Sequence, residues 1–112
     1  LTAHPDVNVV LGENDSMLLG AINALKAAGK DKDVLIVAAA DGQKEALEMI
    51  KAGGYGATGL NNPAQVAATG VDIAKAAIDG TLPADTPRVT YTEPAVITKD
   101  NVDKYYDANA VF

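Results

Sequence analysis

The 112-residue sequence has no cysteine and no tryptophan, a single phenylalanine, four tyrosines and one histidine. Without cysteine, disulfides, thiol catalysis and zinc–thiolate sites are excluded, and the chain suits an oxidising or a reducing compartment equally. His4, the whole imidazole inventory, stands before Pro5 and reads as a solvated turn residue, so no histidine-based triad is expected. Positive charge is also short. Nine Lys and Arg face fifteen Asp and Glu, the formal net charge is −6, and no basic cluster occurs. A nucleic-acid partner is therefore not expected. No run approaches the roughly 18 consecutive apolar residues that would span a bilayer. The opening LTAHPD has neither a cationic start nor a long apolar run, so no signal peptide is expected within these residues.

What remains is a chain that is 48% hydrophobic with a mean hydropathy of +0.05, enough for a globular core. Its pattern alternates strand and helix. VNVVLG (7–12) is a β-branched run after the turn residues Pro5-Asp6, and MLLGAINALKAAG follows with Met17, Leu18, Ala21, Ile22, Leu25 and Ala28 at helical spacing. DVLIVAAA (33–40) is a continuous apolar run of the kind buried on both faces of a parallel sheet. GQKEALEMIKAGG predicts a second helix stopped by Gly53-Gly54, with its Glu and Lys on a solvated face. YGATGL (55–60) is a weaker strand, and Asn62 then caps a third helix that starts at Pro63 and ends at Gly80. A Pro- and Asp-rich loop leads to RVTYTEPAVI, extended but broken by Pro94, and TKDNVDKYYD predicts a short helix capped by Thr98. The fold class is α/β, with parallel-sheet βα units and right-handed crossovers. Three units are few for such a sheet, and the start reads as the last turn of a helix under way, so a piece of a longer protein is expected.

Each predicted strand is followed by a short polar side chain: Asn14, Asp41 and Asn61. In a parallel sheet these ends share one edge, where open α/β sheets bind ligands. Two amides and a carboxylate both donate and accept hydrogen bonds, as the hydroxyls of a sugar or polyol require. Any one of the three could instead be a helix cap. Asp15 or Ser16 is the better cap for the first helix, which frees Asn14. Asp41 could cap the second helix, while Asn62 caps the third and frees Asn61. No phosphate-binding or dinucleotide glycine loop is present, and GENDS and KDKD lack calcium-loop spacing. No catalytic residue, metal site or cofactor is expected.

The segment HPDVNVVLGENDSMLLGAINALKAAGK resembles the HPD(V/I)xAVFAxNDxMALGAxxALxxAGK segment of periplasmic sugar-binding proteins of the ribose-binding class. These are the type I solute-binding proteins of ABC transporters. The next two units follow the same family, and EPAVITKDNVDKYY is similar to its carboxyl-terminal PVVLVTKENVDEY. The resemblance implies a Rossmann-like lobe of a two-lobed periplasmic protein that closes on a monosaccharide or related polyol and delivers it to a membrane permease. It implies that 1–62 and 93–112 belong to the carboxyl-terminal lobe. Residues 63–92 would return to an amino-terminal lobe that is otherwise absent, with hinge crossings near Asn61–Pro63 and Tyr91–Pro94. The family's ligand positions fall on Asn14, Asp41 and Asn61. The aromatic that often precedes the aspartate is replaced by Ala40, and no aromatic follows any of the three strands. The ligand core of a lactose-repressor-type regulator shares the N-D-x-M segment, but its P-L-(T/S)-T-(V/I) motif and a basic helix-turn-helix are absent here. A flavodoxin-like enzyme or receiver domain is the second alternative, and the phosphate loop and acidic cluster it would need are missing from this chain.

Overall fold

The computed structural model describes all 112 residues. The elements run β1 (Val9–Gly12), α1 (Asp15–Ala27), β2 (Leu35–Ala38), α2 (Lys44–Ala52), β3 (Ala57–Gly59), α3 (Pro63–Ile78) and β4 (Val96–Thr98), then a single 3-10 turn at Val102–Lys104. They divide into two compact units, one of Leu1–Asn61 with Ala95–Phe112 and one of Asn62–Pro94.

The larger unit carries a four-stranded sheet in the order β1-β2-β3-β4. β1, β2 and β3 are parallel, as the βα pattern predicts, with Val9 opposite Leu35 and Val37 opposite Ala57. β4 is antiparallel to β3, pairing Ala57 with Thr98 and Gly59 with Val96. That direction was not foreseen: β4 reaches the sheet after a long excursion, so no helical crossover fixes its direction. The opening residues form a bend and a turn at Pro5-Asp6, not the end of a helix.

Alternation along the strands assigns one sheet face to the core. Ile36, Ala38 and Ile97 pack with Leu18, Ile22 and Leu25 of α1 and with Ala46, Leu47 and Ile50 of α2, all nearly or fully buried. Val102 of the 3-10 turn closes the same cluster. The opposite face is open: Val9, Leu11, Leu35 and Val96 are exposed, Leu11 by 71%. The apolar run of β2 is therefore buried on one face only, contrary to expectation, because both crossover helices lie on the same side. Gly53 ends α2 with φ of +83°, a left-handed conformation that glycine adopts without the steric cost of a Cβ.

Thr98 does not cap the terminal turn. It ends β4, and Asn101 holds the corner by accepting from the Thr98 N–H (2.8 Å) and donating to the Val96 carbonyl (2.9 Å). In the smaller unit, Asn62 caps α3 as expected, its Oδ1 accepting from the amides of Ala64 (3.0 Å) and Gln65 (3.1 Å). α3 buries none of its residues. No helix is long and apolar enough to cross a membrane.

Thr58, on the covered face of β3, is fully buried and its hydroxyl has no hydrogen-bond partner. A buried hydroxyl without a partner costs about 1–3 kcal/mol, whereas an apolar group of the same shape does not. Thr58→Val should accordingly raise stability by about 1 kcal/mol, read as a higher denaturation midpoint with an unchanged denaturant slope.

Candidate functional site

The carboxyl ends of β1, β2 and β3 are bound to one another by backbone hydrogen bonds that continue past the strands. The Ala39 N–H donates to the Gly12 carbonyl (3.0 Å) and the Asp15 N–H to the Ala40 carbonyl (3.0 Å). The Asp41 N–H donates to Gly59 (3.2 Å), and the Asp41 carbonyl accepts from Asn61 (3.0 Å), making an isolated parallel bridge between Asp41 and Leu60. Asn14, Asp41 and Asn61 are thereby brought to one edge. Gly59 lets this happen: a Cβ there would lie 2.1 Å from the Ala39 carbonyl oxygen, so any side chain would force the two strand ends apart.

The capping roles differ from those read in the sequence. Asn14 itself is the N-cap of α1: its backbone is extended, and its Oδ1 accepts from the Met17 N–H at 3.0 Å. Asp15 is already helical, one position too late to cap. Its carboxylate turns into the interior, where it is fully buried. There Oδ2 accepts from the amides of Gly42 (2.8 Å) and Gln43 (2.9 Å), and Oδ1 from the Tyr55 hydroxyl (2.6 Å). Ser16 does not cap either; its hydroxyl donates to the Gln43 Oε1 at 3.1 Å. Asp41 is not the cap of α2, whose N-cap is Gln43 with no side-chain cap bond. The amides of Gly42 and Gln43, which lead into α2, are satisfied by Asp15 at the start of α1. A negative charge there also faces the positive end of the α2 dipole.

The outcome for the three strand-end side chains is specific. Capping occupies only the Oδ1 of Asn14 and leaves its NH2 group, two donors, uncommitted. Asp41 is half-buried and Asn61 exposed, and neither side chain is committed to capping. The arrangement offers donors at one end and a charged acceptor in the middle. Sequence reasoning missed Tyr55 and Gln43: Tyr55 is 40 positions from the carboxylate it serves, and no local pattern announces the pair. A concavity of about 440 Å³ lies at the other end of the strands, bordered by Asn8, Asp33, Gly54 and Tyr55. None of Asn14, Asp41 and Asn61 lines it, and the carboxyl edge is where open α/β sheets present ligand groups.

Comparison with known proteins agrees with the resemblance. The sequence profile of a periplasmic binding protein domain matches residues 1–82. The chain is 44% identical over 80 residues to the ribose import binding protein of Salmonella typhimurium strain LT2, covering 71% of this chain and 26% of that protein. It is 36% identical over 99 residues to a xylitol-binding protein of Mycolicibacterium smegmatis, covering 88% of this chain and 27% of the other. An ABC transporter periplasmic solute-binding protein of Actinobacillus succinogenes 130z, solved with D-allose, superposes with a TM-score of 0.84 at 31% identity, over 94% of this chain and 35% of its own. The chain belongs to the periplasmic binding protein domain family. It spans about a quarter of the length of these curated relatives, and the relatives are binding proteins, not enzymes.

Burial, and secondarily the hydrogen bond to Asp15, raises the Tyr55 hydroxyl well above its ordinary value of 10.0. The folded state thus keeps Tyr55 neutral where the unfolded chain would ionise it. Its contribution is intact below about pH 10 and is lost as pH rises beyond the ordinary tyrosine value. Wild-type protein should lose more stability than Tyr55→Phe between about pH 9 and pH 11, measured by denaturant titration at each pH.

Proposed function

We propose that this chain supplies one lobe of the substrate-binding component of a sugar ABC transporter, working in the periplasm and delivering a monosaccharide or related polyol to a membrane permease. The observation that carries the reading is the shared edge of Asn14, Asp41 and Asn61, with uncommitted hydrogen-bonding groups on residues whose backbones are fixed. The ribose, xylitol and D-allose named for its relatives are all neutral polyhydroxy compounds. Asp41 accepts from two sugar hydroxyls, the Asn14 NH2 donates to ring or hydroxyl oxygens, and Asn61 does either. The opposite wall of the site, with any stacking aromatics, comes from an amino-terminal lobe of the same protein. Residues 63–92 belong with that lobe, and the boundaries at Asn61–Asn62 and Pro94–Ala95 are hinge crossings. The protein binds without turnover, since the edge holds neither a nucleophile with its base nor an acid–base pair.

Calorimetric titration of the two-lobed protein with D-ribose, D-allose, xylitol and myo-inositol tests the reading. Asp41→Ala should weaken binding by about 2–4 kcal/mol, roughly 30- to 1000-fold, since bonds to a charged acceptor are the strong ones. Asn61→Ala should cost about 1–2 kcal/mol of affinity and leave stability alone. Asn14→Ala should lose a similar amount of affinity and, because it is also the cap, about 1 kcal/mol of stability. Unchanged affinity in Asp41→Ala would remove the edge from consideration as the ligand site.

A further inference from the structure

The peptides on both sides of Asp41 are held by one residue. The Asp15 N–H donates to the carbonyl of Ala40, immediately before Asp41, and the Asp15 carboxylate accepts from Gly42, immediately after it. Gln43 adds a second amide to the same oxygen, and Tyr55 anchors the other oxygen from the start of the β3 segment. On its remaining side Asp41 is bonded through its own N–H and carbonyl to Gly59 and Asn61. We propose that Asp15, braced by Tyr55, is a positioning residue for the ligand-binding carboxylate of Asp41, acting on affinity through the backbone of residues 40–43 and not by touching the sugar.

Physical reasons favour this role over simple core filling. A buried carboxylate is expensive to desolvate, and an apolar side chain of similar size would pack the same space at lower cost. Its use here is directional: three donors converge on two oxygens, and two of them belong to or adjoin a loop of small residues, Ala39-Ala40-Asp41-Gly42, none of which is fully buried. A binding carboxylate on such a loop is only as well placed as the loop. The same carboxylate takes the amides of Gly42 and Gln43, which lead into α2.

This inference rests on the proposed role of Asp41, and a coupling experiment separates the two. Affinity for D-ribose and D-allose and melting temperature are measured in the two-lobed protein for Asp15→Ala, Asp15→Asn, Tyr55→Phe and Asp41→Ala, and for Asp41→Ala combined with each of the others. Asp15→Ala and Tyr55→Phe should lower affinity on the order of tenfold or more, a loss typical of removing a supporting hydrogen bond. Asp15→Asn should retain most of the affinity, because its oxygen still accepts both amides and its NH2 can donate to the Tyr55 oxygen. In the Asp41→Ala background the further affinity loss should vanish, while the fall in melting temperature persists. Affinity losses that add fully to that of Asp41→Ala would overturn the positioning role, as would full affinity in Tyr55→Phe. If Asp15→Ala does not fold, Tyr55→Phe, which removes one bond only, carries the test. If neither sugar binds wild-type, the ligand reading fails for these probes, and positioning is then read from amide exchange. Tyr55→Phe should speed exchange at Asp41 and Asn61 as well as at Gly42 and Gln43. Unchanged protection at Asp41 and Asn61 would end the proposal.

Discussion

The carboxylate of Asp15 is the interaction on which the geometry of the sheet edge depends. It is fully buried and receives three hydrogen bonds, two from the entry of α2 and one from Tyr55. Those bonds link α1, the β2–α2 loop and the start of the β3 segment in one place. Isolated burial of a charge is strongly unfavourable, and the three donors, with the start of α2 beside them, offset that cost. The arrangement is therefore cooperative: losing one donor leaves the charge less compensated and loosens the loop that the others hold.

Around that anchor, neighbouring polar residues divide the work. Asn14 spends one oxygen on the first turn of α1 and keeps its amide group. Asp15 turns inward, and Ser16 ties α1 to Gln43. Three successive polar residues thus have separate partners, because a helix start presents successive side chains about 100° apart. The sugar-facing role assigned to Asn14 is compatible with capping, since the two use different atoms of the same amide.

Much of this architecture was legible in the sequence because it is local. The 3.6-residue spacing of Leu18, Ile22 and Leu25, the cap at Asn62 with Pro63 behind it, and the glycines after α1 and α2 are short-range signals that the structure repeats. The three strand-end residues were also legible, since a parallel βα pattern fixes which ends align. What was not legible depends on contacts far apart in sequence. Asp15 and Tyr55 meet across 40 positions, and the choice between Asn14 and Asp15 as cap depends on where the helix backbone begins, within one residue. The antiparallel direction of β4 was hidden for a related reason: an extended segment carries no mark of its direction. The open face of β2 was misread because an apolar run shows that residues resist water, not which neighbours cover them.

The two faces of the sheet make different contributions to the edge. α1 and α2 lie on the covered face, and every bond that fixes residues 39–43 comes from those helices' starts or from neighbouring strand ends. The open face, with Val9, Leu11, Leu35 and Val96 in contact with water, contributes no bond to it. A surface that apolar favours association, and whatever covers it supplies burial that the larger unit does not supply for itself. Stability and site geometry are in this way separable. Covering the open face adds to the free energy that holds the sheet, while the bonds around Asp41 come from Asp15 to its flanking residues and from Gly59 and Asn61 to Asp41 itself.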